Sequence, residues 1–249
     1  MNYKEFPPAI KLQKYIETYW FFENNSKSDF YLPVVPDGCM DIIYSFSNLR
    51  KPFFVGIMKK AEIVLIQSGK KFFGIRFRPG VAPALLQTSA TKLCSLNKSL
   101  NLINRKFAQA LGFPSRAWKI TQYIKYFDKK IAEMLKDVIF DERIFVAINR
   151  VIKLEGNASL ESVACEISMS LRQMERIFRI SVGVTPKQFA RIVRFRQSHN
   201  ALLQTGNKSL VSIALQGGYA DQAHFNKEYK KLVGLNPTHK TMSHLYNIK

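Results

Sequence analysis

The chain has 249 residues, 47% of them apolar, and carries 38 Lys and Arg against 18 Asp and Glu, a formal charge of +20. That length exceeds one ordinary domain and falls short of three, and the apolar fraction can fill real cores, so two domains are expected. No run of eighteen apolar residues occurs and the opening MNYKEFPPAIKLQKY lacks the apolar core of a signal peptide, which excludes a membrane span and predicts a soluble cytoplasmic protein.

Cys39, Cys94 and Cys165 are widely separated, with no CxxC pair, so neither a disulfide framework nor a zinc site is indicated. The positive charge invites a polyanion partner but does not locate it. Residues 1–140 hold 22 Lys and Arg against 10 Asp and Glu, whereas 141–249 hold 16 against 8. A shorter stretch is more informative: Val163 to Arg196 holds seven Lys and Arg against two Glu.

Residues 1–78 read as strand-rich. Short apolar or alternating runs lie at Tyr19–Phe22, Tyr31–Val35, Asp41–Phe46, Phe53–Ile57, Ile63–Gln67 and Phe72–Phe77. Pro36-Asp37-Gly38 signals a turn, and Gly69-Lys70 sits where a tight hairpin is expected. Phe73, Ile75 and Phe77 alternate with Gly74, Arg76 and Arg78, so one face is buried and the other polar; such a sheet is able to close around a pocket. Asp37, Cys39, Asp41, Arg76 and Arg78 are the candidate ligand-binding residues, against the plainer reading of turn capping and surface pairing. From Pro79 the pattern turns helical, through Val81–Gln87, Leu100–Leu111 and a long amphipathic stretch from Trp118 to about Val138, read as packing on the sheet. The boundary between halves is placed near Asp137 to Arg143, giving domains 1–140 and 141–249 without a flexible linker between them.

The second half contains a repeated unit. Ser159-Leu160 with Val163-Ala164 is echoed fifty residues later by Ser209-Leu210 with Ile213-Ala214. Ser170, Phe178, Gly183 and Pro186 then match Asp221, Tyr229, Gly234 and Pro237 at an offset of fifty-one. The extra residue is assigned to the turn, where Gly217-Gly218 stands against one small position. In the first copy Leu171, Met174, Ile177 and Phe178 form the apolar stripe, Ser170 and Gln173 suit a capping box, and Arg172, Glu175, Arg176 and Arg179 share the other face. In the second copy Asp221 takes the cap and Phe225, Tyr229 and Leu232 anchor the helix. Gln222, Ala223, His224, Asn226 and Lys227 are left facing outward. A polar helix face is ordinary by itself. Two such faces with matched caps and turns read as paired helix-turn-helix units, and their side chains suit base edges: Arg for guanine, Gln and Asn for adenine, Ala for a thymine methyl.

These residues resemble the AraC/XylS family of bacterial transcription regulators over the carboxy-terminal hundred or so residues. The resemblance rests on Ala214, Gly218-Tyr219, Asp221-Gln222-Ala223-His224-Phe225, Lys227-Glu228-Tyr229-Lys230 and Gly234-Leu235-Asn236-Pro237, with Ala164, Ser170, Met174, Arg176, Phe178, Gly183, Pro186 and Arg194-Phe195 in the first copy. It implies an α+β chain. A strand-rich sensor-like domain with packed helices is followed by an all-α domain of two helix-turn-helix motifs joined by a long helix, about Pro186 to Leu203. The two recognition helices would lie in successive major grooves of double-stranded DNA, with contacts from Arg172, Gln173, Glu175, Arg176, Gln222, Ala223, His224, Asn226 and Lys227. No metal or cofactor is implied, and RNA polymerase is the implied protein partner. Departures are Asn236 for the usual Thr, Ser198 for Ala and Lys227 for the commoner Arg. The last favours a phosphate contact over a forked guanine contact.

Pro36-Asp37-Gly38-Cys39-Met40-Asp41 and Arg76-Phe77-Arg78-Pro79-Gly80 resemble an amino-terminal domain found fused to such readers. By that analogy the front half senses a small-molecule effector, forms a homodimer, or both. Two alternatives are weighed. A DNA-modifying enzyme of the thiolate-repair kind needs a cysteine cluster that three scattered cysteines do not supply. A fold-retaining interaction protein that modulates transcription without reading DNA is disfavoured by the intact basic and amide-bearing faces. Of the histidines, His224 is assigned to the reading face and His199, His239 and His244 to helix surfaces.

Overall fold

A computed structural model describes residues 1–204 and 209–237. Strands β1 (Asn2–Phe6), β2 (Ile16–Glu23), β3 (Phe30–Val34), β4 (Met40–Ser45), β5 (Asn48–Val55), β6 (Glu62–Ile66) and β7 (Lys71–Phe77) are followed by short helices α1 (Val81–Leu85) and α2 (Ala90–Leu93) and a last strand, β8 (Asn97–Ser99). Helices α3 (Leu100–Ile103), α4 (Arg105–Leu111) and α5 (Ile120–Met134) complete the front half. The second half is helical: α6 (Glu142–Lys153), α7 (Leu160–Glu166), α8 (Leu171–Val182), α9 (Pro186–Gln204), α10 (Leu210–Gln216) and α11 (Gln222–Val233).

Six strands make an antiparallel sheet in the order β1-β2-β7-β4-β5-β8, and β3 pairs with β6 in a separate two-stranded ribbon. The sheet stays open instead of closing around a pocket: β1 and β8 are its two edges, and apolar side chains pack on both of its faces. On one, α5 buries Tyr123, Phe127 and Ile131, with Phe127 5.0 Å from Tyr44 and 5.6 Å from Phe73 between ring centroids. On the other, Trp20 and Phe22 meet Ile66 of the ribbon. Gly69-Lys70 does not close a hairpin. It leads from β6 into a strand of the other sheet, and its backbone is tied to Asn24 at the end of β2. The expected Leu100–Leu111 helix is broken at Asn104, whose side chain caps α4.

One apolar core runs from Leu12 through the sheet and α1–α6 into α7, α8 and the first part of α9, ending at Val193. A smaller core, built on Phe195, Leu202, Ile213, Ala214, Tyr219, Phe225, Tyr229 and Leu232, holds the second helix-turn-helix unit. The first unit is therefore packed into the amino-terminal core and the second has its own. Between them α9 extends about 28 Å.

The front half meets α9 at the Pro36-Asp37-Gly38 turn. Gly38 has φ +83° and a Cβ there would lie 2.8 Å from the Phe189 ring. Gly69 also has positive φ, +71°, but among the described residues nothing lies within 4 Å of its Cβ position. Gly69→Ala should therefore cost only the left-handed penalty of about 1 kcal/mol, while Gly38→Ala adds overpacking of about 1–3 kcal/mol. Equal urea midpoints for the two variants would show that the turn does not bear on α9.

Candidate nucleic-acid interface

The two helix-turn-helix units are superposable in their local chemistry. Ser159 and Ser209 each cap their helix through the N–H three residues on, and Val163-Ala164 and Ile213-Ala214 are buried alike. The turns match as well. Met169 N–H donates to Ala164 O as Tyr219 N–H donates to Ala214 O, with Ser168 at φ 56° standing where Gly218 has φ 75°. The fifty-residue offset thus persists through Tyr219. The inserted residue is Ala220, just ahead of the Asp221 cap, and not one of the glycine pair. Past it, Gly183 and Gly234 end α8 and α11 with N–H donation to Arg179 O and Lys230 O.

Helix α8 buries Met174, Phe178 and Val182, with Leu171 and Ile177 partly buried, and turns Arg172, Gln173, Arg176 and Arg179 to solvent. Glu175 is half-buried. Ser170 and Gln173 close the capping box, at 3.2 Å from Gln173 N–H to Ser170 Oγ and 2.9 Å from Ser170 N–H to Gln173 Oε1. Forked pairing with adenine needs both the oxygen and the amide of a carboxamide. While the box is closed, Gln173 offers only its NH₂ group.

Helix α11 buries Phe225, Tyr229 and Leu232. Ala223, His224 and Lys227 are exposed, Gln222 and Asn226 half-buried, and the buried Asn226 Oδ1 has no hydrogen-bond partner among the described residues. Asp221 Oδ1 accepts from His224 N–H at 2.7 Å and holds the start of the helix. The His224 Nδ1 accepts from Ala220 N–H at 3.4 Å, which leaves its Nε2 to carry a proton outward. Both exposed polar faces continue for one more turn, to Arg179 on α8 and to Lys230 on α11, two equivalent exposed cations. The sequence carries that signal, since Arg172, Arg176 and Arg179 recur at helical spacing, as do Ala223, Lys227 and Lys230.

His199 is not on a helix surface. It is 3% exposed, packed against both Phe195 and Tyr229, with Nδ1 2.9 Å from the Tyr229 hydroxyl. His239 and His244 lie outside the described residues. Ser198, 2% exposed, packs where Gly217 comes close: a Cβ on Gly217 would lie 2.2 Å from Ser198 Oγ.

Of the candidate ligand residues of the front half, Asp37, Asp41 and Arg76 converge upon one another, Cys39 joins them through its backbone N–H, and Arg78 pairs elsewhere. Arg76 on β7 and Asp41 on β4 are cross-strand neighbours, and the guanidinium forks onto the carboxylate at 3.2 and 3.1 Å. Arg76 also lies 3.3 Å from Asp37, and Asp37 caps its own turn by accepting from Cys39 N–H. Trp20 Nε1–H donates to Asp41 at 3.1 Å. Burial pushes the Asp41 carboxyl upward against the pull of Arg76, and burial pushes the Cys39 thiol well above its ordinary range, so Cys39 is no thiolate. Arg78 is held by Glu17 at 3.1 Å, and Glu17 also takes Arg196 of α9 at 3.4 Å. Beside this cluster is a cavity of about 260 Å³, lined by Glu5, Phe6, Pro7, Glu17, Thr18, Arg76 and Arg196. Of the five candidates only Arg76 lines it. Among the described residues no cluster of three metal-ligating side chains occurs, and no helix is long and apolar enough to cross a membrane.

A sequence profile described as a helix-turn-helix domain matches residues 163–241, and one described as a domain of unknown function, DUF6597, matches residues 4–97. Over 84 residues the chain is 30% identical to the HTH-type transcriptional regulator ArgR of Pseudomonas aeruginosa, covering 34% of this chain and 25% of that one. Over 98 residues it is 29% identical to the HTH-type transcriptional regulator MtrA of Neisseria gonorrhoeae, covering 39% and 32%. The matched stretch thus spans about a quarter to a third of the length of these curated relatives. Among solved structures, an AraC-type DNA-binding domain protein from Chromobacterium violaceum is 24% identical across 42% of this chain and 94% of that chain, with a TM-score of 0.39. Unsaturated fatty acid bound ToxT of Vibrio cholerae is 13% identical across 91% and 99%, with a TM-score of 0.48.

Burial pushes the His199 imidazole down to about 4. Above the unfolded value near 6.5 the two states bind equal numbers of protons at this site. Below it the unfolded chain takes up a proton that the folded chain refuses, so stability is lost as pH falls from about 6.5 to about 4. The loss is on the order of 3 kcal/mol over that window. Urea midpoints across this range should fall for the wild type and fall less for His199→Phe; parallel curves would show that another group titrates.

Proposed function

We propose, from the premise that residues 163–241 form a helix-turn-helix domain of the AraC type, that this protein is a sequence-specific DNA-binding transcription regulator. The observation that carries the reading is the duplication: two units with equivalent caps, turns and outward cations, joined through one continuous helix, α9. A rigid helix of about 28 Å suits the spacing of successive major grooves on one face of a duplex, about 34 Å per turn. On this reading α8 and α11 each enter a groove. Arg172 and Arg176 are assigned to base edges, with Gln173 limited to a single donor. Ala223 and the Nε2–H of His224 supply the outward contacts of α11, while Gln222 and Asn226 are placed at its margin. Glu175 sits among the cations, where it disfavours close approach of a phosphate. Lys227 is assigned to a phosphate, because an ammonium neutralises charge without forked geometry.

Residues 1–140 are proposed as the sensing or dimerising part, and residues 141–249 as the reader. Support for coupling between them comes from the shared core and from Glu17, which is bonded to both Arg78 and Arg196. A small-molecule effector near Arg76 and RNA polymerase as the protein partner are carried by the resemblance alone.

Gel shift against genomic fragments tests the reading directly, and failure to retain any fragment would favour an interaction protein that keeps the fold without reading DNA. Once a cognate site is in hand, Arg172→Ala and Arg176→Ala should each cost about 1–3 kcal/mol there and less on random duplex. Lys227→Ala should weaken both alike; a loss confined to the cognate site would reassign Lys227 to a base.

A further inference from the structure

The end of the β3–β6 ribbon is clamped onto the last turn of α11. Val34 pairs with Glu62 there, the next residue Val35 packs against the second core, and Ala61 N–H donates to Leu232 O at 2.7 Å. The loop leading into that contact is fixed from its other side as well. Gly56 N–H donates to Leu96 O, Ile57 O accepts from Ser95 N–H, and Ile57 is fully buried with its side chain about where a Cβ on Gly183 would touch it, at 3.1 Å. The loop thus touches the residue that ends α8 and the helix end of α11, and of the three residues between Ile57 and Ala61, Met58 is buried while Lys59 and Lys60 are exposed.

Their place next to Ala61 gathers them with Lys230 and Lys231, also exposed, at the end of α11. Among the described residues none of the four makes an ion pair. Of the carboxylates adjacent in sequence, Glu228 is engaged by Arg191 at 2.6 Å and Glu62 is exposed. The helix dipole at the end of α11 amounts to roughly half an elementary charge and offsets only a fraction of four ammonium groups. Lys230 projects within roughly 20° of Ala223 around the helix axis, so the cluster continues the face assigned to the groove.

We infer that Lys59 and Lys60 form a DNA-phosphate site contributed by the amino-terminal domain. This rests on the proposed function and extends it: the backbone flanking the groove occupied by α11 is gripped by the front half as well as by the reader. The contact is charge-driven and reads no bases. Its role is to add to affinity on any duplex and to register the amino-terminal domain against the DNA.

The test is the salt dependence of binding of the full chain to a mixed-sequence duplex, followed by fluorescence anisotropy. Each lysine that neutralises a phosphate contributes about 0.9 to the slope of log affinity against log salt. Lys59→Gln with Lys60→Gln should lower that slope by about 1 to 2, with an unchanged melting temperature, while Lys59→Arg with Lys60→Arg should retain it. Lys125→Gln with Lys129→Gln, on the sheet-packed helix α5, removes the same net charge and should leave the slope in place. An unchanged slope in the first variant, or an equal drop in the α5 variant, overturns the inference. If the wild type binds no duplex at all, the functional reading fails and takes this site with it. If the wild type binds and Arg172→Ala behaves as expected, a flat result at Lys59 and Lys60 removes this site alone.

Discussion

Helix α9 has to satisfy two cores at once. Phe189, Ala190, Ile192 and Val193 belong to the large core, and Phe195 and Leu202 to the small one. Close approach to it is possible because three separate segments present a glycine there. A Cβ on Gly38 would meet the Phe189 ring, one on Gly156 would lie 2.2 Å from Ala190 O, and one on Gly217 would lie 2.2 Å from Ser198 Oγ. A helix packed this tightly along its length has little freedom to bend, since close-packed interiors respond to displacement as solids do. The relative placement of α8 and α11 is therefore a property of α9 and of whatever packs on it, the amino-terminal turn at Gly38 included.

The repeated half was legible because its signals are local. Caps, apolar spacing and turn residues each act within a few positions, and Ser159, Ser170, Ser209 and Asp221 all cap the helices they precede. The place of the insertion was not. Gly217-Gly218 looked like the longer turn, yet Ser168 adopts the same left-handed conformation without glycine, so residue type concealed the equivalence. Burial of His199 was also hidden, because a polar residue on a helix shows its burial only when the neighbouring helix is in place. Helix α6 lies outside the repeated unit, so its Ile144, Ala147, Ile148 and Val151, at helical spacing behind the Asp141 cap, have no second copy to mark them. In the front half, alternation located most of the strands. It gave neither the order of the sheet nor the division between sheet and ribbon, since those depend on pairings far apart along the chain. The short edge strands β1 and β8 carry too few apolar residues to stand out.

The convergence of Asp37, Asp41 and Arg76 has a simple origin in register. Pairing of β4 with β7 sets Asp41 opposite Arg76, and the turn before β4 swings Asp37 to the same guanidinium. Once these charges are desolvated each is committed to the others, because removing one partner of a buried pair leaves an uncompensated charge at a cost of about 3–5 kcal/mol. The cluster is thereby self-consistent, and it holds the Pro36-Asp37-Gly38 turn in the conformation that receives Phe189.

The link from that cluster to α9 is of a different strength. Glu17 and Arg196 are 24% and 38% exposed, and an ion pair in such a setting contributes about 0–1 kcal/mol, diminished further by salt. The apolar seam is of another order, since each large side chain fully buried there contributes about 1.5–3 kcal/mol. Phe189 and Ile192, both within 2% of complete burial, lie against the turn at Gly38. Comparison of these magnitudes assigns the coupling of the two halves to packing and leaves the Glu17 pairs to orient the seam. A displacement of the turn at Gly38 would therefore reach α9 through Phe189 and Ile192, since close-packed side chains move together and the exposed ion pairs are too weak to impose it.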